Sequence, residues 1–110
     1  MKRPWPTIGL LLAATAAGAQ APDGKALYEK SCKMCHGADG VPPAAMQKMM
    51  PTLAALTASF MASRSNDSVV KVLTDGTAKM KPYKDKLSPE EMLAVAKYVR
   101  ELGETAGGSQ

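Results

Sequence analysis

Met92, Val95, Ala96, Val99 and Leu102 recur at spacings of three, one, three and three, which is the period of a helix with one apolar stripe and not the alternation of a strand. The stretch also carries its own boundaries. Ser88 is placed to cap it, Pro89 suits the first helical position, Glu91 completes a Ser-x-x-Glu capping box, and Gly103 is placed to stop it. Two further helices are predicted upstream. Asp23 can cap one over about residues 24–34, with Ala26 and Leu27 beginning an apolar side against Lys25, Glu29 and Lys30. Ser65 or Asn66 can cap another running through Val69, Val70, Val72 and Leu73, with Gly76 to end it. Residues 44–50 read as a short helix closed by Pro51. Residues 37–43, with two Gly and two Pro in seven positions, read as loop. Residues 77–87 carry Lys at every second or third place and no apolar period, which predicts an extended loop. No strand pattern occurs, so the fold class is all-α: three main helices joined by long loops. Loops of that length in so short a chain need something large to lie against.

The first nineteen residues have a different pattern. Lys2 and Arg3 are followed by an uncharged apolar run from Ile8 to Ala17, and Ala17-Gly18-Ala19 offers the small residues a signal peptidase reads. Residues 1–19 are therefore expected to be a cleavable signal peptide and residues 20–110 the working domain, its tail fraying from about 104. The apolar run is too short for the ~20 residues that cross a bilayer. Removing the leader changes the charge: 14 basic and 10 acidic residues give +4 for the whole chain, but 12 and 10 give +2 for residues 20–110. Removing it also exposes a thin core. Those 91 residues contain 24 large apolar side chains, with no Ile and no Trp. A packed interior needs more volume than that.

Cys32-Lys33-Met34-Cys35-His36 is the Cys-x-x-Cys-His signature of c-type haem attachment. Two thiols three positions apart can each add to one vinyl group of the same porphyrin, and the adjacent imidazole can then reach the iron. The competing readings fit less well. A thioredoxin-like redox pair wants a βαβ setting, a zinc site wants further Cys or His ligands that the chain lacks, and a plain disulfide leaves His36 unexplained. With no second His, a Met thioether is the natural ligand opposite His36. Met46, Met49, Met50, Met61, Met80 and Met92 are the candidates outside the motif. Met80 stands out because it sits in a polar loop between Gly76 and Pro82, flanked by Lys79 and Lys81. Met92 and the Met46, Met49, Met50 trio lie at helical spacing, where methionine is commonly core filler. The trio at that spacing could also be read as a Cu(I) site.

These features together resemble the class I c-type cytochromes, the small bacterial ones in particular. The resemblance runs through Gly24-Lys25-Ala26-Leu27-Tyr28, the haem motif with Gly37, Leu73-Thr74-Asp75-Gly76 followed by Met80, and Leu87-Ser88-Pro89-Glu90-Glu91 through Tyr98-Val99-Arg100. It implies a cytochrome c fold wrapped around one covalently attached haem c. His36 would be the proximal ligand and Met80, four residues after Gly76, the distal one. Close crossing of the first and last helices would fall at Gly24, Tyr28, Tyr98 and Leu102. A carbonyl of the loop after the motif, Pro42 or Pro43, would accept from the Nδ1 of His36. Pro82 follows Met80 one position later than in many members, with Lys81 between.

The function expected is one-electron transfer by a soluble periplasmic carrier and not an enzyme. Two other readings are a haem-bearing subunit of a larger dehydrogenase or oxidase, and a haem sensor or enzyme with a displaceable sixth ligand. Lys71, Lys79, Lys81, Lys84 and Lys86 against Asp75 and Asp85 give +3 in sixteen residues, a charge suited to redox proteins with acidic docking faces. Two haem propionates would roughly cancel the remaining +2, which argues against nucleic-acid and membrane-surface binding, and no run after residue 20 is apolar enough for membrane insertion. A monomer is expected.

Overall fold

The computed structural model of the protein describes residues 2–6, 9 and 21–107. The expected signal peptide, residues 1–19, falls for the most part outside the described residues, as do positions 108–110 of the tail. Six helices follow one another: α1 Gly24–Ser31, α2 Lys33–His36, α3 Ala44–Met49, α4 Ala58–Ala62, α5 Asn66–Asp75 and α6 Pro89–Leu102. A single π turn, Gly103–Gly107, closes the described chain. There is no strand among the described residues, and the three long helices α1, α5 and α6 are those that the apolar periods predict.

Their ends are set by local chemistry. Asp23 Oδ1 accepts from the Ala26 amide at 3.2 Å, and Ser65 Oγ accepts from the Ser68 amide at 3.1 Å. The capping box of α6 closes in both directions: Ser88 Oγ accepts from the Glu91 amide at 3.1 Å, and Glu91 Oε1 accepts from the Ser88 amide at 2.9 Å. Gly76 ends α5 with φ +69°, a left-handed turn that a β-carbon would penalise.

The structure departs from the periodic reading in four places. The first helix does not run to 34. It ends at Ser31, Cys32 takes φ −118°, and the chain restarts as the short α2. The α4 turn has no counterpart in the apolar pattern, because five residues are too few to show a period; Thr57 Oγ1 caps it, accepting from the Phe60 amide at 3.1 Å. The 77–87 loop is folded back on itself instead of extended. The Thr77 amide donates to the Met80 carbonyl at 2.8 Å, the Met80 amide to Thr77 Oγ1 at 3.0 Å, and the Tyr83 amide to the Leu73 carbonyl at 2.7 Å. Gly103 stops α6 as expected, but with right-handed angles (φ −61°, ψ −38°), so the backbone widens into the π turn without reversing.

The core follows the stripe of α6. Met92, Val95, Ala96, Val99 and Leu102 are all buried, together with Tyr28, Cys32, Met61, Leu73 and Leu87. Each Val, Leu or Met among them contributes about 1.5–3 kcal/mol when fully withdrawn from water. No charged or polar side chain is buried among the described residues. The α1 and α6 backbones nearly touch: a β-carbon on Gly24 would collide with the Ala94 carbonyl. Below that contact the Tyr28 and Tyr98 rings pack with centroids 5.3 Å apart, tilted by 59°. Arg100 then ties α6 to the α4–α5 junction. Its Nε donates to Asn66 Oδ1 at 3.0 Å, Nη1 to the Met61 carbonyl at 3.0 Å and Nη2 to the Arg64 carbonyl. Among the described residues no helix is long and apolar enough to cross a membrane.

Candidate cofactor site

The break at Cys32 shapes the site. Because the helix relaxes there and tightens again, the Cys32 carbonyl accepts from both the Cys35 amide at 3.3 Å and the His36 amide at 3.0 Å. The pentapeptide becomes one compact turn. Cys32 is buried, Cys35 and His36 are half-buried, and both thiols are free. Lys33 and Met34 face outward, Met34 being 84% exposed.

Two cavities, of about 470 and 390 Å³, open on this turn, and Cys32, His36, Thr77 and Met80 line both. Cys35, Met50, Leu53 and Tyr83 add to the wall of the first; Leu56, Phe60, Met61, Val69 and Val99 add to the second. Arg64 also lines the second, its guanidinium lying 3.6 Å over the Phe60 ring. The sequence-predicted residues Cys32, Cys35, His36 and Met80 thus all line the first cavity. The other methionines are distributed differently. Met50 lines only the first cavity and Met61 only the second, Met92 is buried against α5 with Thr74 Oγ1 3.5 Å from its sulfur, and Met49 is 73% exposed. Of the Met46, Met49, Met50 trio, Met49 ends α3 facing solvent, while Met50, the residue that caps the helix, lines the first cavity.

The electrostatics follow from burial. Burial holds the His36 imidazole below its ordinary value, which favours the neutral form that can bind a metal. Burial, and secondarily the neighbouring Cys35, push the Cys32 thiol up to about 11. The Nδ1 of His36 is buried without a hydrogen-bond partner. The expected acceptors, the Pro42 and Pro43 carbonyls, do not engage it; the Pro42 carbonyl accepts instead from Gln47 Nε2 at 2.8 Å. Two tyrosines that sequence reasoning had not placed at the site bracket the turn. Tyr28 Oη donates to the Gly37 carbonyl at 2.6 Å and Tyr83 Oη to the Ser31 carbonyl at 3.0 Å. Their only trace in the sequence is an aromatic ring with a polar tip near the motif and near Met80.

These residues fit a flat, largely apolar macrocycle attached through two sulfurs. The space is lined mainly by apolar side chains, two free thiols stand on its wall, and the half-buried imidazole of His36 lines it with its Nδ1 unpartnered. An all-α domain built around such a motif defines a c-type cytochrome. A family model described as "Cytochrome C oxidase, cbb3-type, subunit III" matches residues 19–99, and the chain belongs to that family. The fold is similar to the solved structure of the KustC0563 c-type cytochrome, with a TM-score of 0.66 and 34% identity over 73% of this chain and 96% of that one. A tyrosine mutant of the same protein compares at a TM-score of 0.65 and 33% identity, covering 73% of this chain and 98% of that chain. No curated protein sequence matches the chain. The protein is accordingly an electron-transfer protein whose cofactor is covalently bound haem c and whose partners are redox proteins.

Proposed function

We propose that the chain holds one haem c through Cys32 and Cys35, with His36 and Met80 as axial ligands, and shuttles electrons as a soluble periplasmic carrier. One observation carries the ligand assignment: among the described methionines, Met80 alone lines both cavities that His36 lines. When bound, the haem iron supplies reversible one-electron exchange. The chain's own residues set the conditions for it. The neutral imidazole of His36 and the soft thioether of Met80 favour the reduced state, and the apolar lining disfavours the more charged oxidised one. With His36 and Met80 both holding the haem, no open position would be left for a substrate. Lys71, Lys79, Lys81, Lys84 and Lys86 are all exposed around the Met80 loop and suit an acidic partner face; Lys71 is the one paired, to Asp75 at 3.3 Å. The basic start, the apolar run 8–17 and Ala17-Gly18-Ala19 support export with removal of residues 1–19.

The test is the optical spectrum of the purified ferric protein. The unsubstituted chain is expected to show a far-red methionine-to-iron charge-transfer band. Met80→Ala should keep covalent haem and lose that band, and an unchanged spectrum moves the ligand to another methionine. A second reading is favoured by the family description, which names an oxidase subunit: the same domain serving one fixed partner in a larger complex. Native purification separates the two, since a carrier runs as a free monomer and a subunit co-purifies with its complex.

A further inference from the structure

The distal loop and the haem-attachment turn are 52 residues apart in sequence where Tyr83 joins Ser31, yet only one side-chain hydrogen bond links them among the described residues. Tyr83 anchors the loop at three points besides. Its amide donates to the Leu73 carbonyl at the end of α5, and its carbonyl accepts from the amides of Lys86 and Leu87, both at 2.9 Å. Its ring lines the cavity beside Cys35 and Met80. The hydroxyl then reaches across to the carbonyl of the residue immediately before Cys32.

We infer that the Tyr83 hydroxyl is a strap that ties the Met80 loop to the Cys-x-x-Cys-His turn and controls how readily the distal side opens. Tyr83 is thereby a positioning residue, and the functional consequence rests on Met80 being the distal ligand. The inference follows from where the loop is otherwise held. Between Gly76 and Tyr83 the loop's hydrogen bonds are internal: Thr77 with Met80 in both directions, and the Lys79 amide to Thr77 Oγ1 at 3.3 Å. Internal bonds keep the loop's shape but do not hold it against the opposite wall. The Tyr83 hydroxyl does, and it does so on backbone, which no side-chain change at Ser31 replaces.

The test uses the intact haem-loaded protein carrying Tyr83→Phe, which keeps the ring and removes one oxygen, compared with Tyr28→Phe, which removes the hydroxyl at the other end of the same turn. Amide hydrogen exchange is read at Thr77 and Met80, and ferric imidazole binding is read optically. Tyr83→Phe is expected to speed exchange at Thr77 and Met80 and imidazole uptake by about three- to tenfold, the range expected from one net hydrogen bond, with α1 and α6 amides unmoved. Tyr28→Phe is expected to leave the Thr77 and Met80 amides unmoved. Unchanged exchange at Thr77 and Met80 in Tyr83→Phe, or an equal rise in both variants, overturns the strap. The ligand reading fails separately: a charge-transfer band absent from the unsubstituted protein rejects Met80 as ligand, while the exchange result still decides the strap.

Discussion

Tyr28 shows how much one side chain can carry here. It is 1% exposed, its ring packs on Tyr98, and its hydroxyl holds the carbonyl just past His36. Burial foremost, then the Cys32, Tyr98 and Asp39 charges, raise its pKa far above the ordinary tyrosine value. The folded state therefore refuses the phenolate. A raised acid contributes stability that is fully present below the unfolded value of about 10 and is lost as pH rises above it. Urea unfolding of the holoprotein should show stability falling above about pH 10, by up to ~1.4 kcal/mol per unit from this group. Tyr28→Phe should flatten that fall, and an alkaline limb of unchanged slope would contradict it. At this scale the haem motif was legible in the sequence because its chemistry is local: five consecutive residues supply both thiols and the imidazole. The Tyr28 and Tyr83 hydrogen bonds were not, because both end on backbone carbonyls, and every residue has one.

Elements were legible where they were long enough to repeat. The fourteen residues of α6 show four spacings of a single stripe and a capping box, and all five stripe residues are buried as predicted. The five residues of α4 show no period, although Thr57 ahead of Phe60 and Met61 is an N-cap signal that was there to be read. The break at Cys32 also escaped the pattern, since apolar spacing continues across it. The Arg100 clamp, reaching 34 to 39 residues away, joins elements that only the fold brings together. The close crossing was anticipated at Gly24, and the geometry shows why glycine is needed. An added β-carbon there sits 3.1 Å from Tyr98 Cβ and collides with the Ala94 carbonyl, which is helix backbone and cannot turn aside. Gly24→Ala is expected to cost about 1–3 kcal/mol despite alanine's better helix propensity. At ~4–8 °C per kcal/mol for a domain this size, thermal unfolding would resolve it. A melting temperature equal to or above that of the unsubstituted protein would mean that the helices can separate at no cost.

The whole molecule returns to the shortage of side-chain volume. Cavities of about 470 and 390 Å³ lie where a domain of this size should have a packed centre. Both open to solvent, so with no flat apolar body in them their walls stay wet, and at ~25 cal/mol per Å² of apolar surface left unburied the loss weighs against the ~5–15 kcal/mol stability of a domain. Without haem, the Cys32→Ser, Cys35→Ser chain is expected to lose its cooperative thermal transition and its near-ultraviolet dichroism while keeping part of its helical signal; a sharp two-state transition would show that the protein alone fills its core. By itself the sequence determined the helical class, the three long helices with their caps, the haem-attachment turn and the need for a central body, because each rests on spacing, local hydrogen bonding or composition. Tertiary structure decided which methionine shares both cavities with His36, where α1 breaks, and how the Met80 loop is tied to the Cys-x-x-Cys-His turn. Those depend on contacts between residues dozens of positions apart, often through backbone atoms, and side-chain identity does not encode where a backbone carbonyl will lie.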